Sequence, residues 1–69
     1  MSYSVVAVDV RDAEELVSFE FDCDSESGAV DKFCSVASID SWEDEYVRVY
    51  VFGGEPGMVN KYRLVELFE

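Results

Sequence analysis

The chain has 69 residues, with 16 Asp or Glu against 5 Lys or Arg, no histidine and a formal charge of −11. A charge of this sign excludes direct nucleic-acid binding, which depends on cations replacing the counterions of phosphates, and it opposes docking on an anionic membrane. The length allows a single domain over residues 1–69 with little wall for a substrate cleft, and the lack of His removes the commonest general base, so no enzyme is expected, while 49% hydrophobic and 14% aromatic content excludes disorder.

Residues 3–11 read as a strand in which Val6, Val8 and Val10 form a strictly apolar face and Val5, Ala7, Asp9 and Arg11 a mixed one. After the acidic turn from Arg11 to Glu15 comes the cleanest alternation of the chain. Val17, Phe19, Phe21 and Cys23 face one way and Ser18, Glu20, Asp22 and Asp24 the other, the pattern of a half-buried strand. The period then changes. Val30, Phe33, Cys34 and Ala37 fall on one stripe of a helix flanked by Ala29 and Val36, which Ser25 or Ser27 can cap and whose start Asp24 and Glu26 suit electrostatically.

Residues 39–45 have neither period and read as a loop, followed by a strand in which Val47, Val49 and Val51 alternate with Tyr46, Arg48, Tyr50 and Phe52. Residues 53–57, Gly-Gly-Glu-Pro-Gly, are turn chemistry. A last strand over about residues 59–68 is irregular. Tyr62, Leu64 and Phe68 share one parity and Val65 and Leu67 the other, which predicts a bulge near Leu64 or partial cover on both faces. The expected fold is α+β: one four-stranded antiparallel sheet in ββαββ order, with strand order 2-1-3-4 or 1-2-4-3 and a single helix packed on one face. The other face is left to solvent or to a partner.

No stretch approaches the ~20 apolar residues of a membrane span, and the start of the chain has no basic residue or apolar run of signal-peptide kind, so a cytoplasmic location is expected. Cys23 and Cys34 are then reduced thiols, and their place in apolar stripes, with no activating His, favours core packing over chemistry. The stretch from Asp22 to Glu26 has the look of a calcium loop, but its sixth and twelfth positions are Ser27 and Phe33 where Gly and a bidentate Glu are needed. No metal and no cofactor are expected.

The charge itself is unevenly distributed. Residues 1–24 carry net −6, residues 25–38 net −1 and residues 39–45 net −4, whereas residues 46–69 are balanced. Glu20, Asp22 and Asp24 would stand ~6.6 Å apart along the exposed side of a strand, comparable with successive phosphates of a nucleic-acid strand. Asp9, Asp12, Glu14 and Glu15 could extend the row, and Asp40, Glu43, Asp44 and Glu45 form a second cluster around Trp42, with Tyr46 and Tyr50 as further aromatic anchors. Such an array could occupy the basic groove of a nucleic-acid-binding protein. The plainer reading is a solvated face, with Trp42 closing the bottom of the core.

In size, acidity and a single helix on an antiparallel sheet, the chain resembles the small acidic anti-CRISPR proteins of the DNA-mimic kind. The resemblance covers the whole chain and carries no motif. It implies a phage-encoded inhibitor acting in the host cytoplasm, a monomer or small homo-oligomer. Such an inhibitor binds a DNA-contacting subunit of a type I surveillance complex (Cascade) and blocks PAM reading. The alternatives are an antidote or immunity-type protein capping a basic toxin or nuclease, and a small structural or assembly protein.

Overall fold

The computed structural model describes residues 2–53 and 59–67. They form four strands, β1 (Ser2–Asp9), β2 (Glu14–Asp22), β3 (Val47–Gly53) and β4 (Val59–Arg63), with helix α1 (Glu26–Val36) between β2 and β3. A 3-10 turn at Ile39–Ser41 and a four-residue helix α2 (Leu64–Leu67) are added, so ββαββ describes the chain approximately. The sheet is wholly antiparallel in the order β2-β1-β3-β4, the first of the two expected orders. Of the glycine-rich turn, all but Gly53 lies outside the described residues, as does Phe68.

One face of the sheet holds the core. Tyr3, Val5 and Ala7 of β1 and Val47, Val49 and Val51 of β3 meet Ala29 and Phe33 of α1, with Ile39 and Leu64 closing the ends, and none of these is more than 7% exposed. The Phe33 ring packs edge-on against Phe19 and lies 6.2 Å from that of Trp42. On the helix, Val30, Cys34 and Ala37 flank the buried pair, while Val36 points outward at 57% exposure. Ser25 is the cap, its Oγ accepting from the Gly28 N–H at 3.2 Å. The helix start is also tied to the far edge of the sheet, because Glu26 accepts from Asn60 Nδ2 and from the Tyr62 hydroxyl, both at 2.6 Å.

Two details depart from the pattern-based expectation, and a third is left open by it. The strictly apolar row of β1 is not the buried one: Val6 and Val8 lie half-buried on the uncovered side, and the odd-numbered residues, joined by Tyr3, go under the helix. The last strand ends at Arg63, and the change of parity at Leu64 marks the passage into α2 rather than a bulge within a strand. The bulge lies elsewhere, in the β1–β2 hairpin. Val17 faces Ala7 and Glu15 faces Val8, so Leu16 is the extra residue, and Glu15 is carried onto the same face as Val8. Gly53 sits at φ 152° beside Tyr3, where an added Cβ would come within 2.6 Å of the tyrosine ring and 2.8 Å of the Ser2 carbonyl oxygen, so only glycine fits.

Candidate functional site

The two acidic clusters, about 30 residues apart in sequence, are brought to one end of the molecule by β1–β3 pairing. Asp9 stands opposite Val47 in the register, and just beyond the ladder the Val10 N–H donates to the Tyr46 carbonyl at 2.8 Å. The hairpin turn carrying Asp12, with Glu14 and Glu15 at the start of β2, therefore lies at the same end of the sheet as the loop carrying Glu43, Asp44 and Glu45. Arg11 joins them. Its guanidinium holds Asp9 through two bonds, 3.1 Å from Nε to Oδ1 and 2.7 Å from Nη2 to Oδ2, and also lies 4.1 Å over the Tyr46 ring.

Each segment of this acidic pole is locally fixed. In the hairpin turn, Asp9 Oδ1 accepts the Arg11 N–H and Asp12 Oδ1 accepts the Glu14 N–H, two side-chain turns that let the chain reverse, with Ala13 at φ 58°. In the loop, the Tyr46 and Val47 N–H groups both donate to the Glu43 carbonyl. Arg48 Nη1 donates to the carbonyls of Asp44 (2.9 Å) and Glu45 (3.4 Å), and Asp44 bridges to the end of β4, taking the Arg63 guanidinium at 2.5 Å and the Val65 N–H at 2.9 Å. Arg48 and Arg63 thus serve as fasteners for the loop, although neither is buried.

The fasteners divide the acids into two sorts. The Arg11 hydrogen bonds hold the Asp9 carboxyl down at about pH 2, and Asp9 in turn raises the Arg11 guanidinium further above its ordinary value, with Tyr46 and Glu43 adding smaller attractions. The Val65 N–H and then Arg63 hold Asp44 below the usual carboxylate range. Asp9 and Asp44 are therefore spent on the fold, while the Asp12, Glu14, Glu15, Glu43 and Glu45 residues remain exposed. Asp40 is exposed on the neighbouring 3-10 turn.

The strand row is separate. Glu20 and Asp22 are exposed on β2 facing Ser4 and Ser2, and Asp24 is exposed just beyond the strand, all toward the end of β2 opposite to the hairpin turn. The structure thus does not join all the sequence-predicted residues into one array: Asp12, Glu14, Glu15, Glu43 and Glu45 form a pole, and Glu20, Asp22 and Asp24 a second patch. Trp42 is partly buried against the core with its ring tilted 39° to that of Phe33, the place in which the plainer reading put it. Sequence reasoning missed the part of the basic residues. The pairing of Asp9 with Arg11 two positions on was readable from the turn, whereas Arg48 and Arg63 meet Asp44 only once β3 and β4 are placed.

Among the described residues there is no concave pocket, no group of three or more potential metal ligands, and no helix long and apolar enough to cross a membrane. Both thiols pack on the core; burial, and then Asp31, pushes that of Cys34 up, and Cys23 Sγ lies 3.5 Å from the Ser25 carbonyl oxygen. No family model matches the chain, and neither a curated protein nor a solved structure matches it significantly.

Proposed function

We propose that the protein is an inhibitory binding protein that presents its acidic pole to a basic nucleic-acid-binding protein in the cytoplasm and competes there with nucleic acid, most concretely as an anti-CRISPR protein acting on a DNA-contacting subunit of a surveillance complex. The observation that carries this reading is the Val10–Tyr46 junction, which collects five exposed carboxylates from two distant segments around one fixed turn and loop. The backbone that carries these carboxylates is held in place by the turn and loop hydrogen bonds, and their concentrated negative field steers the protein to cationic grooves. Repulsion among them costs the small fold stability, and the arginine fasteners are what keep the loop in position against it.

A second reading shares the surface. The pole is a compact knob rather than an extended row, which also suits an antidote that plugs the basic active site of a toxin or nuclease. Two multiple reversals separate the surfaces and test both readings. Changing Asp12, Glu14, Glu43 and Glu45 to Lys should weaken inhibition of target-duplex binding by several hundred-fold, since each exposed charge at an interface is worth ~0.5 kcal/mol and reversal doubles the change, about 4 kcal/mol for the four. Changing Glu20, Asp22 and Asp24 to Lys should do less. Survival of full inhibition through both sets would contradict the proposal, and neutralisation of a non-CRISPR nuclease with no effect on surveillance complexes would favour the antidote.

A further inference from the structure

We infer that the uncovered face of the sheet is a self-association surface, on which a second copy of the chain packs face to face about a two-fold axis parallel to the strands. This inference does not rest on the proposed function, although the surface shares Glu15 with the acidic pole. Apolar side chains run across the face: Val6 of β1 lies beside Tyr50 of β3, Val8 beside Arg48 and Ser4 beside Phe52, which Val59 continues on β4, with Phe52 41% and Val59 48% exposed. Its two margins carry opposite charge. Glu15 and Glu20 line it on β2, at one edge of the sheet, and Lys61 lines it on β4, at the other, together with Arg63, whose guanidinium also holds Asp44 of its own chain.

That polarity selects the symmetry. A two-fold axis across the strands would lay β2 on β2 and β4 on β4, acid on acid and base on base. An axis along the strands, passing between β1 and β3, reverses left and right and lays the acidic margin of each copy on the basic margin of the other. A two-fold has no translation along its axis, so the register is fixed as well. The row Ser18–Val6–Tyr50–Lys61 meets its own reverse, which places Val6 on the partner's Tyr50. The row Glu15–Val8–Arg48–Arg63 likewise places Glu15 on the partner's Arg63 and Val8 on the stem of the partner's Arg48, and Lys61 falls between the rows of the partner's Glu15 and Glu20. At the ~10 Å separation of packed sheets these side chains meet, with the aligned strands of a sandwich.

The same axis leaves both acidic poles at one end of the dimer. Four strands ~4.8 Å apart make a face ~19 Å wide, so the buried area lies at the low end of specific interfaces, and repulsion between the adjoining poles makes the dimer a weak one.

Sedimentation equilibrium at ~0.15 M salt, where a Debye length of ~8 Å screens the net charge, tests this. The wild type should be monomeric at low micromolar concentration and approach dimer mass toward ~1 mM. Glu20→Lys and Lys61→Glu should each weaken the dimer about tenfold, because the two symmetric margin contacts change from attraction to repulsion. The double variant should restore it, and circular dichroism checks that these exposed positions leave the fold unchanged. A wild type that stays monomeric to ~1 mM overturns the inference, and so does a dimer indifferent to the single reversals.

Discussion

The two faces of one sheet are built from neighbouring residues of the same strands and have different fates. On β1, Val5 and Ala7 are fully buried while Val6 and Val8, no less apolar, are half-open. What separates them is not their own hydrophobicity but what stands opposite: Phe33 and Ala29 of the helix on one side, and no element of the described chain on the other. Local composition sets which residues can be buried, and the placement of the single helix decides which of them are.

The sharpest way to break the comparison is to strip the cover. Among the described residues Phe33 is the largest side chain that is completely buried, packed against Phe19 and Trp42, and Phe33→Ala should cost about 3–5 kcal/mol, comparable with the whole stability of so small a domain. The variant is expected to lack a cooperative thermal transition by circular dichroism. A matched pair of substitutions compares the faces directly. Val5→Ala should lose about 2–3 kcal/mol of unfolding free energy in urea, and Val6→Ala less than about 1, although the residues are adjacent and chemically identical. Equal losses would mean that the uncovered face is packed as tightly as the covered one.

A smaller effect sits at the margin of the covered face, where Tyr62 donates to Glu26. This bond first, then partial burial, raises the tyrosine hydroxyl to about 12 from its ordinary 10. The protonated form is the one the folded state favours. Its contribution is therefore fully present below pH 10 and is lost as pH rises through about 12. Tyr62→Phe should cost about 1 kcal/mol at neutral pH and flatten the decline of stability between pH 10 and 12. An unchanged alkaline profile would show that the clasp between α1 and β4 contributes nothing. At the other extreme, the depressed Asp9 and Asp44 carboxyls contribute above the ordinary carboxylate range and lose that contribution as pH falls, for Asp9 down to about 2.

Much of the fold was legible because the signals were local. The alternation of Val17, Phe19, Phe21 and Cys23 with charged partners located β2, and the serine ahead of the apolar stripe located the cap of α1. β1 was located but its sides were not assigned, since both of its rows are apolar and only the register with β2 and β3 distinguishes them. At Leu64 a parity break was visible, but a turn of helix and a bulge break parity alike. The acidic residues were all visible individually. Their division into a pole and a patch was not, because it depends on Asp9 lying opposite Val47 and on which carboxylates the arginines take up, contacts made across 19 residues for Asp44 with Arg63.

The competition of the acidic pole with nucleic acid is tested most directly by titrating the wild-type protein into a surveillance complex bound to labelled target duplex, at two duplex concentrations and two salt concentrations. The account predicts release of the duplex with an apparent inhibition constant that rises in proportion to duplex concentration and weakens as salt is raised. Duplex binding that is untouched at low salt, or release that is indifferent to duplex concentration, would contradict it.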